Sequence, residues 1–211
     1  MAEVWIGGGD SGTCAGAPVV GSAHMFSKEL LLGCEYFAGK AKSSDDCEEI
    51  LCTNTACILF STSVLEAQIN EWISISAQLK SDDDSAMFWK NLEGMQKSLK
   101  VDEKWNLIAS YHNATLWDYS KEPFLSYRII TALRNELVHY KGTFLGKDEV
   151  PNKKIKVLMK IFKAETKAGF IGDDVSNWVS ELLGKKDLGD WVYKKTKEFH
   201  NFFFNVLMEK P

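Results

Sequence analysis

The chain of 211 residues is long enough to bury one sizeable hydrophobic core, and its 45% apolar and 26% charged residues are typical of a globular protein rather than a disordered one. Its formal net charge of −4 argues against a protein that coats nucleic acid. Neither a membrane-spanning run of about 20 apolar residues nor a secretory signal in the first residues is predicted, so we expect a cytoplasmic protein without membrane contact.

Charge and cysteine are unevenly distributed along the chain. Residues 1–140 carry a net charge of −8 and residues 141–211 a net charge of +4. Arginine is scarce, with only Arg128 and Arg134 against 23 lysines, so a position that uses arginine suggests a need for its planar fork. The five cysteines form no CxxC pair and no Cys/His cluster, so we expect buried free thiols and neither a disulfide frame, a metal nor a cofactor.

The first 23 residues are rich in glycine and small side chains and predict an arm or a small hairpin. Gly7, Gly9 and Gly12 satisfy the pattern G-x-G-x-x-G. A dinucleotide-binding loop also needs a following helix and a βαβ unit, and the sequence predicts neither. We therefore interpret residues 1–23 as an arm that precedes a single helical domain at 24–211.

Two helices are predicted next. Apolar residues at three- and four-residue spacing predict a first helix from Phe26 that ends at Gly39, and a longer one from about Glu48 to Leu79. Glu66 and Asn70 lie four residues apart on the flank of the apolar face of the second helix, so both can point toward the same neighbour. That face consists of Ile58, Leu65, Ile69, Trp72, Ser76 and Leu79.

Further helices are predicted at about 84–99 and 102–111, and another begins near Pro123 and ends at Gly142. Beyond Pro151 the sequence predicts a lysine-rich amphipathic helix at 152–168, although its alternation also permits a strand. Helices at about 173–183 and 187–208 complete an all-α chain.

The most informative segment is Arg134-Asn135-Glu136-Leu137-Val138-His139. On a helix, Asn135 and His139 lie within ~40° of each other, whereas Arg134 lies ~140° from His139 and needs its length to reach a common cleft. A structural explanation is also open, in which Arg134 pairs with Glu66 and His139 binds the carbonyl groups at the helix end.

The stretch around this segment resembles the signature of the HEPN superfamily, in which an arginine and a polar residue, often asparagine, precede a histidine. Two earlier stretches are similar to other parts of that family. Leu65 to Glu71 resembles the long helix that precedes the signature, and Asp102 to Trp105, followed by Pro123, resembles the connecting region. The resemblance covers about residues 26–142 as a HEPN-like core and leaves 151–208 as a C-terminal helical extension.

The resemblance implies a helical bundle of four to five core helices that commonly dimerises, and in many members a metal-independent endoribonuclease of toxin–antitoxin or other defence systems. It implies that His139 acts as general acid or base, that Arg134 stabilises the phosphate and that Asn135 orients His139 or the phosphate. We expect Lys141, Glu66 and Asn70 to contact the RNA substrate. An antitoxin or a nucleotidyltransferase is the kind of partner that such a toxin would have.

Other interpretations remain open at this point. The chain is alternatively a non-catalytic HEPN-like dimer that binds a nucleotide or a protein, or an unrelated helical protein in which the signature is coincidental. The lysines at 153–167 either follow RNA phosphates or form a solvated helix face. Trp117, Tyr127 and Tyr140 either stack on bases or belong to the core.

Overall fold

A computed structural model of the chain describes residues 24–79, 83–140, 149–166 and 176–208. The predicted all-α class is confirmed, because these residues form a bundle of eight helices and contain no strand. The arm at 1–23, Lys141 and Gly142 lie outside the described residues. The helices are α1 (Phe26–Ser43), α2 (Cys47–Leu79), α3 (Asp83–Met95), α4 (Val101–Tyr111), α5 (Phe124–Val138), α6 (Lys153–Ile161), α7 (Trp178–Leu183) and α8 (Lys186–Met208).

Helices α1 and α2 form an antiparallel pair. The start of α1 meets the end of α2, where the Glu71 carboxylate accepts hydrogen bonds from the Ser27 backbone N–H at 2.8 Å and from its hydroxyl at 2.6 Å. Gly39 was predicted to end α1, but the helix continues to Ser43. Gly39 is exposed, and a Cβ atom there would have no neighbour within 4 Å. The glycine therefore lowers the helix propensity of α1 at this position but does not end the helix.

The cysteines divide into two buried and two exposed residues within the described chain. Cys34 of α1 and Cys57 of α2 are fully buried, with sulfur atoms 3.2 Å apart. Their hydrogen bond, together with burial, raises the pKa of the Cys34 thiol. Cys47 and Cys52 are exposed on α2, so the expectation of burial was wrong for these two.

Helix α8 is a central member of the bundle. It packs against α1, α2 and α5. The α7–α8 junction is tied to α2 by Asn54, whose side-chain amide donates to the carbonyl oxygens of Leu183 at 2.7 Å and Lys185 at 2.9 Å. Through α8, the predicted C-terminal helical extension at 151–208 packs directly on the helices of residues 26–142.

The hydrophobic core consists of two clusters that share α2, α5 and α8. The first lies between these helices and α1, α6 and α7, and the second between them and α3 and α4. Trp105 is at the centre of the second cluster, is 1% exposed and stacks on Phe202 with ring centroids 5.6 Å apart. Other rings that contact Trp105 are those of Trp117, Phe124, Phe199 and Phe203.

Three helices end earlier in the structure than the sequence pattern predicts. Helix α3 ends at Met95, α5 at Val138 and α6 at Ile161, and each of these terminal residues is about half exposed. For the segment 152–168 a strand was also considered, and within its described part, 152–166, the helix is α6. Two residues after that helix Lys163 has a φ of 49°, a left-handed conformation typical of helix ends.

Helix α2 is long and apolar enough, judged by length and composition alone, to cross a membrane. In the bundle it packs against α1, α3, α5 and α8. It also buries four polar side chains, Asn54, Ser61, Gln68 and Ser76. Such positions are typical of a core helix that exchanges hydrogen bonds with its neighbours.

Candidate functional site

The polar trio Arg134, Asn135 and His139 lies at the carboxyl end of α5. The opposite side of this helix is anchored in the core through residues such as Leu133, which is fully buried. The helix ends at Val138, and His139 is its C-cap, whose backbone N–H donates to the Asn135 carbonyl oxygen at 3.0 Å. The last turn of a firmly anchored helix therefore presents the trio.

The structure brings Arg134 and Asn135 into direct contact. The guanidinium Nη1 of Arg134 donates to the side-chain Oδ1 of Asn135 at 3.0 Å. Since Asn135 and His139 lie on the same side of the helix, this hydrogen bond turns the guanidinium toward the histidine side of α5. Arg134 is half-buried, while Asn135 and His139 are exposed, so solvent reaches the trio.

Glu66 does not pair with Arg134, the partner that the structural explanation of the sequence motif assigned to it. Both Glu66 and Arg134 are described, and they form no ion pair with each other. The carboxylate of Glu66 instead lies near the ammonium group of Lys104. This leaves the Arg134 guanidinium with Asn135 as its side-chain partner in the described chain.

Lys104 of α4 is the neighbour that Glu66 and Asn70 share. Its Nζ donates to the Asn70 side-chain oxygen at 2.8 Å. Lys104 is only 3% exposed, and burial lowers the pKa of its ammonium group while the charge of Glu66 opposes that shift. The sequence pattern placed Trp105 and Ile108 of the same helix in the core. It did not predict the burial of Lys104, because a lysine is rarely buried unless its charge is paired.

A cleft of about 510 Å³ opens between α2, the turn after α3, α4 and α5. On α5, Tyr127, Thr131 and Arg134 follow one another at four- and three-residue steps and share a face, so the cleft reaches to about one helical turn from Arg134. The wall of the cleft also includes Asp102, whose carboxylate accepts a hydrogen bond from the Tyr119 hydroxyl at 2.7 Å. We call this space the Glu66 cleft and define it by Glu66, Lys100, Asp102, Trp117, Tyr127 and Thr131.

Aromatic rings line this cleft. The rings of Trp117 and Tyr127 are in edge contact, with centroids 5.4 Å apart. Burial raises the pKa of Tyr119 and of Tyr127 to about 12 each, so both phenols remain neutral at physiological pH. The Arg128 guanidinium lies 5.3 Å from the Tyr119 ring centroid, within the range of a cation–π contact. Tyr140, in contrast, is more than half exposed beyond the end of α5.

Asn152 ties the lysine-rich helix α6 to the last turn of α5. Its side-chain amide donates to the Glu136 carboxylate at 2.8 Å, while its side-chain oxygen accepts the backbone N–H groups of Lys154 and Ile155 and caps α6. The exposed lysines near this anchored helix are Lys153, Lys156, Lys160 and Lys163. The last three of them line a second cleft of about 390 Å³.

Within the part of the chain that the structure describes, no group of three or more histidine, cysteine, aspartate or glutamate side chains is placed to hold a metal ion. Comparison with protein-family models gives no match, and no curated protein or solved structure matches the chain significantly. The chemistry of the site is therefore inferred from its own residues and from the sequence motifs that resemble the HEPN superfamily.

Proposed function

We propose that the chain is a HEPN-type endoribonuclease with a HEPN-like helical core, and that the trio at the end of α5 is its active site. The observation that supports this best is the solvent-accessible pairing of Arg134 with Asn135 at the helix end that also carries His139. A guanidinium suits a phosphodiester, and an imidazole is able to move a proton near neutral pH. RNA is the substrate class that presents both a phosphate and a hydroxyl beside it.

In the proposed reaction, His139 accepts the proton of the ribose 2′-hydroxyl or delivers a proton to the leaving 5′-oxygen. The 2′-oxygen forms a bond to phosphorus while the bond between phosphorus and the 5′-oxygen breaks. The products are a 2′,3′-cyclic phosphate and a 5′-hydroxyl, and no metal is needed. Arg134 binds the non-bridging oxygens and stabilises the charge of the transition state, and Asn135 holds the guanidinium in position.

The proposal includes a homodimer in which the ends of two α5 helices face each other. One subunit carries a single His139 at this end, whereas the reaction uses both a base and an acid, so two copies supply both roles. Val138 and Tyr140 flank the histidine and are about half exposed, which gives such an interface apolar contacts. Lysines on and after α6 bind phosphates further along the RNA.

Cleavage of labelled tRNA and mRNA in the presence of EDTA tests the proposal directly. We expect the wild type to produce fragments that end in a cyclic phosphate, identified by mass spectrometry. His139→Ala should reduce the rate by roughly 10²–10⁴-fold and Arg134→Ala by roughly 10²–10³-fold, because each removes a group that acts in the transition state. Arg134→Lys should not restore the rate, since lysine lacks the bidentate fork.

His24→Ala is the matched control, because this histidine is exposed just before α1, where it pairs with Glu29. It should cleave like the wild type. Cleavage that survives both Arg134→Ala and His139→Ala would exclude the proposed active site.

A non-catalytic HEPN-like dimer that binds a nucleotide or a protein is the second candidate. The Glu66 cleft favours it, because a cleft lined by aromatic rings and a carboxylate offers a binding site that does not require His139. In that case the wild type would bind a ligand without cutting RNA.

As a toxin or defence protein, the ribonuclease would act in the cytoplasm beside an antitoxin or a nucleotidyltransferase partner.

A further inference from the structure

One wall of the Glu66 cleft carries a hydrogen-bond acceptor, the Glu66 carboxylate. Close to it, one oxygen of Asp102 accepts from the Tyr119 hydroxyl and the Lys104 ammonium donates to Asn70. The exposed carboxylate of Glu66 receives no hydrogen bond from the described residues. A ligand in the cleft therefore meets an acceptor-only group on one wall.

Aromatic side chains line the same cleft. Trp117 and Tyr127 are half-buried and pack against each other and against Phe199, so the parts of these rings that border the cleft are already held in place. The phenols are neutral, as the raised tyrosine pKa values require. Stacking of a base on such a ring contributes about 1–3 kcal/mol in proteins that bind single strands.

The charges around the cleft argue for a ligand that also carries phosphate. Lys97 and Lys100 line it together with Glu66 and Asp102, and Arg128 lies beside it on the Tyr119 ring. A cationic ligand such as an arginine of a protein partner would be repelled by these three positive groups. A neutral base attached to a phosphate satisfies both the carboxylate and the cations.

We propose that the Glu66 cleft binds an unpaired guanine base of RNA, next to the phosphate held by Arg134. Guanine presents two adjacent N–H donors on its Watson–Crick edge, and one carboxylate accepts both. The α5 face that carries Tyr127 and Thr131 continues to Arg134 one turn later, so a stacked base and the adjoining phosphate reach the two sites together. This inference rests on the proposed function for its RNA substrate.

The test uses a short single-stranded oligonucleotide with 2′-O-methyl riboses, which lacks the nucleophile and is not cleaved. One probe carries a single guanine among uracils, and its partner carries hypoxanthine instead, which lacks the amino group but keeps everything else. Fluorescence anisotropy measures the affinity of the full-length protein. We expect the guanine probe to bind about tenfold more tightly, as a difference of about 1.4 kcal/mol requires.

Glu66→Gln should abolish this preference, because the amide presents a donor where the base also presents one. Glu48→Gln is the matched control, since Glu48 is an exposed acid at the other end of α2, and it should keep the preference. Equal affinity for the two probes in the wild type, or an unchanged preference in Glu66→Gln, overturns the inference. Binding of an arginine-rich peptide in place of either probe overturns it as well.

The outcome separates this inference from the proposed function. A guanine preference that depends on Glu66, in a protein that cuts no RNA, supports the base-binding cleft and rejects only the ribonuclease. Cleavage that depends on His139 without any guanine preference rejects the cleft and leaves the ribonuclease.

Discussion

One buried histidine is expected to make the stability of this bundle depend on pH. His200 of α8 is 8% exposed, and its ring lies against Phe204 with centroids 5.0 Å apart. Burial lowers the pKa of this imidazole below its ordinary value of 6.5, and the positive charge of Lys28 acts in the same direction, whereas a side-chain hydrogen bond with Asn201 opposes the shift in part. The folded protein therefore favours the neutral form of His200.

This shift predicts that acid weakens the fold. Below its ordinary pKa, His200 binds a proton in the unfolded chain but not in the folded one, so the free energy of unfolding falls as the pH drops through about 6.5. We expect urea denaturation to show lower stability near pH ~5.5 than near pH ~7.5, with a smaller difference in His200→Phe. The exposed His24, replaced by asparagine, should leave the difference unchanged, and an equal loss in both variants would contradict the assignment.

At the same scale, the sequence predicted which residues of one helix share a face, but not which residues of other helices they contact. The four-residue spacing of Glu66 and Asn70 predicted that both can point toward one neighbour, and in the structure Lys104 binds Asn70 and lies near Glu66. That the neighbour is Lys104 depends on how α4 packs on α2, which spacing along one helix does not determine. An Arg134–Glu66 pair was also considered and is not formed among the described residues. The Arg134–Asn135 contact lies within α5 and was not predicted, because helical spacing does not determine the rotamer of a long side chain.

At the scale of helices, close packing of α8 depends on one missing side chain. A Cβ atom at Gly189 would lie 2.7 Å from the Asn54 side-chain oxygen and 3.1 Å from the Cα of Ala38. Asn54 is unable to move freely, since its amide is bound to two carbonyl groups of the α7–α8 junction. Gly189 is therefore where α1, α2 and α8 approach each other most directly.

Gly189→Ala is expected to destabilise the protein by about 1–3 kcal/mol, because overpacking outweighs the better helix propensity of alanine. Gly39→Ala in α1 should instead be neutral or stabilise by up to about 1 kcal/mol, since nothing lies within 4 Å of the new atom. Chemical denaturation of both variants measures the two effects. A stabilising Gly189→Ala would show that the three helices are less tightly packed than described.

The ends of some helices were predictable from sequence, and the ends of others were not. The period of apolar residues located α2, α4 and α8 within one residue or so at their described ends, because burial of one face imposes that period. The terminal residues Met95, Val138 and Ile161 continue the pattern while being about half exposed, so they gave no sign of the end. The early end of α5 makes His139 its C-cap residue.

At the scale of the whole molecule, periodicity tells which face of a helix is buried but not against which helix. For this reason the sequence did not predict that Phe199 and Phe203 of α8 lie beside Trp105 in the second core cluster. Both clusters depend on α2 and α8 together. We therefore expect the bundle to unfold as one unit rather than lose its C-terminal helices first.

The role of α2 is the remaining question at this scale, because its length and apolar composition also suit a membrane helix. Asn54→Leu distinguishes the two roles. In the bundle this change leaves the carbonyl groups of Leu183 and Lys185 without their donor, at a cost of about 1–3 kcal/mol for each buried group that stays unpaired. In a membrane the same change would remove a polar group and favour insertion.

We expect Asn54→Leu to lower the thermal midpoint by several degrees, and we expect the wild type to stay in the supernatant of a detergent-free lysate after high-speed centrifugation. Ser63→Leu adds a similar apolar group at an exposed position of α2, where the serine hydroxyl donates to the Leu59 carbonyl of its own helix. It should change the midpoint little. Wild-type protein that remains in the pellet after alkaline carbonate, with Asn54→Leu enriched there, would place α2 in a membrane and contradict its role in the core.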